Sequence, residues 1–277
     1  MAINCSYLHI VYIERQFYIM DLREITNNKN RHPWELSRAN KLMRLCRNYL
    51  PNRETIKIGD IGAGDRYFDN QLILKLKNEN ITPIIYAIDN EYENTISNQE
   101  EIVMFSDISM LENNSMDCII MMDVLEHIED DNSFLKLALD KLKWNGFLII
   151  TVPAFESLFS SHDTYLKHFR RYNYMGLREL LLTKNLHIVR SYYFYTSLYV
   201  ARWLQLKLKK NKADGNNVGI GMWKYNEESF ITRVLKSILN IDFSVNVILN
   251  KFGIRLPGLS LLAVAIKNNS SIEQEFE

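Results

Sequence analysis

One stretch decides the fold: Ile56-Lys-Ile-Gly-Asp60-Ile-Gly62-Ala-Gly64-Asp-Arg-Tyr-Phe68. Its isoleucines favour a buried β-strand, and Gly62 and Gly64 permit a tight turn in which the backbone approaches a ligand more closely than a Cβ would allow. We expect a helix to begin near Asp65 or Arg66. An apolar strand that runs through an acidic residue into such a turn is typical of proteins that seat a nucleotide-like cofactor, although an ordinary strand-to-helix loop can have the same sequence pattern.

The second predicted strand also ends in an acidic residue. Residues 84–88 form an apolar run that leads into Asp89, at about the spacing from the glycines where a carboxylate accepts both hydroxyl groups of a ribose. A short third strand ends in Asp107, and a fourth strand, residues 116–123, runs straight into Val124-Leu-Glu126-His127. Carboxylates therefore follow successive predicted strands.

Strands and helices alternate along the rest of the chain. Pro33 suits a first helical turn, and residues 33–50 place apolar side chains at helical spacing before the first strand. This alternation predicts parallel strand–helix–strand units, and sheets built from them bind ligands at the carboxyl ends of their strands. The elements predicted after the fourth strand are a helix over residues 130–143, a strand over 147–152, a helix over 177–184, a strand over 186–194 and a last strand over 259–266.

In this order, these residues resemble the class I S-adenosylmethionine-dependent methyltransferases, in particular the small-molecule branch whose fourth strand leads into a Leu-Glu-His turn. The resemblance covers most of residues 32–190 and resumes at 258–267. It implies an α/β fold with a Rossmann-like, seven-stranded, mostly parallel sheet and helices on both faces. The last strand is expected to be antiparallel and to lie between strands five and six. The implied segments are an N-terminal leader and helix (1–55), a cofactor-binding domain (56–195 with 258–277) and a helical insertion (196–257).

The resemblance implies S-adenosylmethionine as the cofactor and gives roles to the residues at the first two strand ends. Asp60 is expected to face the methionine amino group, while Gly62 and Gly64 pass the cofactor's carboxylate and ribose. Asp89 matches the acid that binds the ribose.

The third and fourth strand ends complete the implied cofactor site. Asp107 is expected to accept the proton of the adenine amino group, and Ile108 to pack on the ring. Asp123 and Val124 match the floor of the pocket. Arg66 departs from the family's pattern, which usually has a small residue there, and it either caps the cofactor's carboxylate or narrows the site.

Composition excludes several classes of protein. The 33 basic and 33 acidic residues balance, which gives no support for a nucleic-acid partner. The Asp123-Val-Leu-Glu126 turn also differs from the proline-rich turn that grips a flipped base. The three cysteines are far apart and lack Cys-x-x-Cys spacing, which argues against disulfides and a zinc site and favours a cytoplasmic location. No uncharged apolar run reaches the roughly 18 residues that a membrane-spanning helix needs.

The segment after the fifth strand carries the candidate acceptor chemistry. Methyl transfer from a sulfonium is an in-line displacement, so the protein must align the acceptor, exclude water and, for a hydroxyl acceptor, take up a proton. His162 is one candidate base, because the adjacent Asp163 can hold its ring in the required tautomer. His168 is the rival. No metal ligands are proposed, since His162 and Asp163 alone are too few, and the sequence leaves metal dependence open.

Arg170, Arg171 and Tyr172 are the candidate acceptor-binding residues of this segment. The arginines can grip a phosphate or carboxylate with paired hydrogen bonds. The alternative is that Asp163 and the two arginines form a structural ion-pair lid while Tyr172 packs. His127 has two interpretations as well: it lines the floor of the acceptor site, or it packs beside the start of a helix.

The same segment resembles a pattern of one bacterial methyltransferase group, Pro-x-x-x-x-Leu-Phe-Ser-x-His-Asp followed by His-x-Arg-Arg-Tyr. Residues 153–163 and 168–172 match every quoted position. Members of this group often accompany glycan or lipid-linked saccharide biosynthesis, so the resemblance implies O-methylation of a sugar or a lipid-linked saccharide. A lipid or quinone-like acceptor and a non-catalytic, methyltransferase-like binding module are the alternatives.

The insertion contains two predicted helices, over residues 198–210 and 227–239. The first has more apolar surface than a solvated helix needs and several basic residues nearby. Residues 196–212 are therefore candidates for peripheral contact with the inner face of the cell membrane. The alternative is that the first helix docks on the apolar stripe of the second. The sequence leaves the oligomeric state open.

Overall fold

The computed structural model describes residues 31–92, 101–184, 186–209 and 225–268. Parts of the three predicted segments lie outside the described residues: 1–30 of the leader, 93–100, 185 and 269–277 of the cofactor domain, and 210–224 of the insertion, which include 210–212 of the predicted membrane contact. Within the described ranges, no helix combines the length and the apolar character that crossing a bilayer requires.

One seven-stranded sheet organises the described chain. Its strands are β1 (Thr55–Ile61), β2 (Thr82–Ile88), β3 (Ile102–Phe105), β4 (Met116–Met122), β5 (Leu142–Pro153), β6 (Leu186–Phe194) and β7 (Ser260–Lys267). The strand order is β3-β2-β1-β4-β5-β7-β6. The first five strands pair in parallel, whereas β7 runs antiparallel to both β5 and β6. The predicted sheet, with its antiparallel last strand between strands five and six, is confirmed.

Helices cover both faces of the sheet, and each face has its own apolar core. The helices are α1 (Pro33–Tyr49), α2 (Tyr67–Lys77), α3 (Asp131–Lys141), α4 (Ser161–Tyr165), α5 (Tyr174–Leu182), α6 (Thr196–Lys209) and α7 (Phe230–Lys251). On one face α3 and α5 pack through Phe134 and Leu177. On the other, α1, α2 and α7 pack through Leu42, Leu72 and Phe243. All seven residues of β4 are buried, as expected for a parallel strand covered on both sides.

The strand register brings the predicted site residues to one edge of the sheet. Ile61, Ile88 and Phe105 lie side by side at the ends of β1, β2 and β3, and Met121 of β4 lies next to Ile61. The turns that follow these strands therefore start at the same level. We call this side, where the chain leaves β1 to β6, the carboxyl edge.

The fifth strand is longer than the sequence pattern predicts. β5 begins at Leu142, five residues before the predicted start, and contains the Asn145-Gly146 pair that was expected to lie outside the strand. Asn145 has a φ of 60°, and the pairing of β4 with β5 shifts register between Met116 and Cys118. An Asn-Gly pair can thus form an irregularity within a strand as well as a turn between elements.

The second helix of the insertion also differs from expectation. α7 continues to Lys251, and it docks on α1, where Ser37 Oγ donates to Asn240 Oδ1 (3.1 Å) and Lys41 Nζ donates to Ser244 Oγ (2.7 Å). The predicted stripe does not cover α6, since five of its six residues are exposed. These are Phe230, Ile231, Val234, Leu235 and Ile238, whereas Leu239 is buried.

Contact between α6 and α7 is polar at the start of α6. Asp242 of α7 accepts hydrogen bonds from the backbone nitrogens of Thr196 (3.1 Å) and Ser197 (2.8 Å). These donors are among the free N–H groups of the first turn of α6, so Asp242 caps this helix from outside. The first helix of the insertion is therefore fixed by its amino end.

Gly258 provides a test of how closely β6 and the loop before β7 pack. An added Cβ would lie 2.3 Å from the backbone oxygen of Phe194 and 2.6 Å from its nitrogen, and these strand atoms cannot swing aside. We expect Gly258→Ala to lower the free energy of unfolding by about 1–3 kcal/mol in a urea titration. Gly176→Ala is the matched control, because its added Cβ would lie 3.4 Å from the nearest atom, Asn173 Oδ1. Equal stability of the Gly258 variant and the wild type would contradict the close approach.

Candidate active site

The glycine turn after β1 has the geometry that the sequence predicts. Gly62 and Gly64 have φ values of 81° and 53°, a region that side chains with a Cβ rarely occupy. The nitrogen of Gly62 donates to Ile88 O (2.8 Å), and that of Gly64 donates to Asp89 Oδ2 (3.0 Å). Asp89, the predicted ribose acid, thus also holds the turn in place.

Asp89 is fully buried at the end of β2. Its second oxygen, Oδ1, accepts a hydrogen bond from Glu91 N (3.0 Å). Burial raises the pKa of Asp89 to about 6, although the two backbone N–H groups oppose this shift. The carboxyl group therefore lies at the predicted edge, in contact with the glycine turn.

Asp60 faces a second buried acid, Asp69, which the sequence analysis missed. Both side chains are excluded from solvent, and no donor group satisfies their oxygens. Burial and the neighbouring Asp69 raise the pKa of Asp60 well above its usual range, and burial raises the pKa of Asp69 to about 7. Two facing carboxyl groups are most stable when they share one proton. The pair then keeps one negative charge, which no donor from another described residue meets.

Asp69 escaped notice because an acid in the first turn of a helix is ordinarily a solvated partner of the helix dipole. The buried residues of α2 give the missing signal. Asp69 stands within the apolar stripe formed by Phe68, Leu72, Ile73 and Leu76. An acid on that face of the helix cannot reach water.

The orphaned carboxyl group of Asp60 fits the predicted cofactor. A buried carboxylate without a donor is costly unless a cation or a donor meets it, and the amino group of the methionine portion is both. Asp60 lies beside the glycine turn, where that group was expected. The residues present therefore fit S-adenosylmethionine.

The residues after β3 lie at the same edge but are engaged with the protein. Asp107 Oδ1 accepts a hydrogen bond from Ser109 N (2.6 Å) and so starts a short 3-10 turn, while Ile108 is buried in the core. Arg66 is the N-cap residue just before α2, and its Nη1 lies 3.1 Å from the sulfur of Met104 in β3. Arg66 therefore extends along the edge towards the predicted adenine site.

The end of β4 is fixed from both sides. Asp123 forms an ion pair with the buried Arg38 of α1, and its Oδ1 accepts from Thr151 Oγ1 (3.2 Å). Val124 is completely buried. Arg31, just before α1, pairs with Asp65 in the glycine turn. Arg31 and Arg38 thus connect the N-terminal helix and the residues before it to the turns after β1 and β4. The sequence alone did not identify either arginine.

Four turns at the carboxyl edge contain a non-glycine residue in the left-handed region. Arg66, Asp123, Phe155 and Tyr195, in the turns after β1, β4, β5 and β6, have φ values of 63°, 56°, 62° and 65°. This conformation costs such residues about 1–2 kcal/mol each. Backbone strain of this kind is common at functional sites. Asn80, Asn114, Asn145 and Lys167 also have positive φ values, so the carboxyl edge holds four of the eight such residues in the described ranges.

Asp163 organises the acceptor segment, and its histidine partner is His168. Asp163 Oδ1 lies 3.0 Å from His168 Nδ1 and 2.7 Å from Arg171 Nε, while Oδ2 accepts from Ser160 N (3.0 Å) and Ser160 Oγ (3.1 Å). Burial alone would raise the pKa of Asp163, but His168 and Arg171 hold it well below its usual range. The structure therefore joins Asp163 to the rival base.

His162 lies next to this group on α4 and is half-buried. Burial and the nearby Arg202 lower its pKa, so the neutral ring, which can accept a proton, is favoured near pH 7. Arg202 comes from α6 and donates to Ser160 Oγ at 2.7 Å. The insertion thus contributes a side chain to the acceptor segment.

The three predicted acceptor-binding residues make internal contacts. Arg171 donates to Asp163 and to Ala154 O (3.2 Å), and Arg170 pairs with Asp131 (3.0 Å). The hydroxyl of the buried Tyr172 donates to Asp131 Oδ2 (2.6 Å). These contacts are those of the structural ion-pair interpretation.

His127 lies in the floor of this region beside Glu126, and both are buried. Burial raises the pKa of Glu126 to about 8 and, with the neighbouring His168, lowers the pKa of His127 to about 3. Neither carboxyl oxygen of Glu126 has a hydrogen-bond partner, and neither has His127 Nδ1. The acceptor side therefore contains unsatisfied polar atoms, as the cofactor side does.

Comparison with solved structures identifies the fold. A candidate sarcosine dimethylglycine methyltransferase from Galdieria sulphuraria aligns with a TM-score of 0.52 at 15% sequence identity, over 95% of this chain and 97% of its own. A candidate methyltransferase from Bacillus halodurans gives a TM-score of 0.50 at 12% identity, over 84% of this chain and 100% of its own. No protein-family model and no curated protein matches the chain.

The buried acid pair predicts a specific pH dependence of stability. The folded protein holds a proton at Asp69 up to about pH 7, whereas an unfolded chain releases it near pH 4. The stability that this proton contributes is complete below about pH 4 and is lost as the pH rises to about 7. We therefore expect the Tm of the wild type minus the Tm of Asp69→Asn to decrease as the pH rises from about 4.5 to about 7.5.

Differential scanning fluorimetry across this range measures the effect. Glu54→Gln, which removes a carboxylate from an exposed position, is the control for general charge effects. Parallel Tm curves for the wild type and Asp69→Asn would show that Asp69 titrates as an ordinary surface acid.

Proposed function

We propose that this chain, which has the Rossmann-like fold of S-adenosylmethionine-dependent methyltransferases, transfers a methyl group to an oxygen of a sugar or a lipid-linked saccharide. One observation carries the proposal: the orphaned acid Asp60 beside the glycine turn and the polar group around Asp163 stand at the same edge of one sheet. The first suits a cationic cofactor, and the second suits a hydroxyl acceptor.

On the cofactor side, the protein binds and orients. S-adenosylmethionine supplies a methyl group that is activated by the positive sulfur. Asp60 would receive the methionine amino group and Asp89 the ribose hydroxyls, while Asp107 and Ile108 border the adenine. Arg38 and Arg31 keep the surrounding turns in place through Asp123 and Asp65.

On the acceptor side, the protein positions a hydroxyl group and removes its proton. His162 and His168 are the two candidate bases, and both stand beside Asp163 on or after α4. Low solvent access around Glu126 and His127 excludes water, which would otherwise compete as an acceptor. The acceptor segment is held in place by the internal contacts of Arg170, Arg171 and Tyr172.

Exposed apolar faces on the insertion favour an acceptor that carries a lipid. Val200, Trp203, Leu204 and Leu208 of α6 are at least 39% exposed. α7 presents an exposed stripe with helical spacing, Phe230, Val234, Ile238, Ile241, Val245 and Ile248. Patches of this size mark contact surfaces in soluble proteins.

The charges around these faces suit an anionic membrane surface. Lys207, Arg233, Lys251 and Arg255 are exposed on or near the two helices. The stripe itself contains no acidic residue. We propose that α6 and α7 lie on the inner face of the cell membrane, which extends the contact first predicted for residues 196–212. Arg202 would then connect this surface with the acceptor segment.

Asp89→Asn tests the cofactor assignment. The change keeps the size of the side chain but removes the charge that accepts the ribose hydroxyls, so we expect S-adenosylhomocysteine to bind about tenfold or more weakly, in line with a loss of about 1–3 kcal/mol. Isothermal titration calorimetry measures the affinity. Asp140→Asn on the exposed face of α3 is the control.

Transfer of a labelled methyl group into glycan and lipid-carrier extracts should fall in parallel. Unchanged affinity of Asp89→Asn would mean that this carboxylate is misassigned. Failure of the wild type to bind S-adenosylhomocysteine at all would favour the non-catalytic binding module.

Vesicle flotation tests the membrane contact. We expect the wild type to float with vesicles of phosphatidylcholine and phosphatidylglycerol, less so at high salt, because salt screens the basic residues. Ile241 and Ile248 are 65% and 52% exposed, and replacing both with Ser should weaken binding by about tenfold or more. Met175→Ser, a 66% exposed site on α5, is the matched control. Self-association without vesicle binding would assign the face to a second copy of the chain instead.

A further inference from the structure

Three side chains with metal-binding atoms converge beside the acceptor segment. The ligand atoms of Glu126, His127 and His168 all lie within 4.8 Å of one another. Glu126 and His127 belong to the turn after β4, whereas His168 follows α4, and the two imidazole rings meet edge-on at 4.6 Å between centroids. A hydrogen bond from Phe169 N to Glu126 O (2.7 Å) joins the two segments.

The atoms that face this cluster lack hydrogen bonds. Glu126 is 0% exposed and His127 is 5% exposed, yet both carboxyl oxygens and His127 Nδ1 are without a partner. Buried polar atoms in folded proteins almost always have one. A metal ion would satisfy these atoms, because it accepts electron pairs from a carboxylate oxygen and an imidazole nitrogen at the same time.

The second nitrogen of each ring is already held by the protein. His168 Nδ1 is bonded to Asp163, and His127 is bonded to the backbone of Leu166. Histidines that ligate metals usually donate their other N–H to a carboxylate or carbonyl. This hydrogen bond fixes the tautomer and orients the ring so that the unprotonated nitrogen can bind the metal. Asp163 and Leu166 supply this support, so His168 Nε2 and His127 Nδ1 are the ring nitrogens left to bind an ion.

We propose that Glu126, His127 and His168 bind a divalent transition-metal ion. With bonds of about 2.1 Å, the ligand atoms of a tetrahedral ion lie about 3.4 Å apart, so the most distant pair of the cluster closes by up to about 1.4 Å from the present limit of 4.8 Å. Two imidazoles and one carboxylate suit Zn²⁺ and its neighbours better than Mg²⁺ or Ca²⁺, which prefer oxygen ligands. Three protein ligands also leave coordination positions open.

The role of the ion rests on the proposed methyl transfer. An open position would receive the hydroxyl oxygen of the acceptor, and the positive charge would lower the pKa of that hydroxyl. The O–H bond breaks and its proton passes to His162; the oxygen then bonds to the methyl carbon while the carbon–sulfur bond breaks, leaving its electron pair on sulfur. Because a metal-bound ring cannot also take up the proton, His168 is a ligand and His162 is the base.

Metal content of the full chain tests the proposal directly. The protein is dialysed against a chelator, incubated with Zn²⁺ and desalted. Inductively coupled plasma mass spectrometry should then find one zinc ion per chain. Incubation with Mg²⁺ should leave no retained magnesium. Co²⁺ should give visible absorption bands that added Zn²⁺ abolishes. Absence of both stoichiometric zinc and the Co²⁺ bands from the wild type would overturn the site without any variant.

Variants locate the ion. Glu126→Gln and His168→Gln should lower zinc affinity by more than about 100-fold, beyond the usual effect of losing a hydrogen-bond partner of a ligand. His187→Gln, an exposed position on β6, is the control and should bind as the wild type does. Equal zinc binding by all four proteins would refute the assignment.

Titration with S-adenosylhomocysteine separates this inference from the proposed function. Zinc binding without S-adenosylhomocysteine binding would support the metal site and contradict methyl transfer. S-adenosylhomocysteine binding without zinc binding would contradict the metal site and leave the proposed methyl transfer supported.

Discussion

Burial of carboxyl groups at one edge of the sheet is the constraint on which the rest of the structure depends. Asp60, Asp69, Asp89, Glu126 and Asp163 are each at most 1% exposed, and burying a charge is costly unless it is paired. The chain meets this cost in different ways. Backbone N–H groups satisfy Asp89, and Arg171, His168 and Ser160 satisfy Asp163. Asp60 and Asp69 face each other, and no hydrogen-bond donor contacts the carboxyl group of Glu126. Asp60 and Glu126, which lack a donor, are the groups for which we propose a cationic ligand.

The surrounding architecture keeps these acids together. The strand register fixes the level at which each turn leaves the sheet, and two apolar cores hold the helices against both faces. The N-terminal helix then ties two of the turns by ion pairs from Arg31 and Arg38. The guanidinium group of Arg38 also lies 4.6 Å from the ring of Trp34, and that of Arg31 lies 3.9 Å from the ring of Tyr67. Cation–ring contacts and ion pairs thus anchor α1 at the carboxyl edge.

Local patterns in the sequence predicted the sheet, the glycine turn and the acids at the strand ends well, because strand periodicity, glycines and strand-end acids are local signals. Long-range packing was harder to predict. Asp69 became visible only once the buried face of α2 was known, and α7 proved longer and docked on a different helix. The partner of Asp163 depended on where the chain turns after α4: the adjacent His162 is the closer residue in sequence, but His168 is the one hydrogen-bonded to it. Glu126 was noticed only as part of a turn, since its lack of a partner is a property of the folded state.

The left-handed residues after β1, β4, β5 and β6 have a consequence for how this protein can change. Glycine would relax the backbone at Arg66, Asp123, Phe155 or Tyr195. At Asp123 and Tyr195, however, it would also remove the ion pair with Arg38 and a fully buried ring, and these losses exceed the relief of strain. Each of the four residues borders the edge where the candidate ligands meet. A heat-resistant descendant would therefore keep at least Asp123 and Tyr195, with their strained backbone, and would have to gain its stability elsewhere.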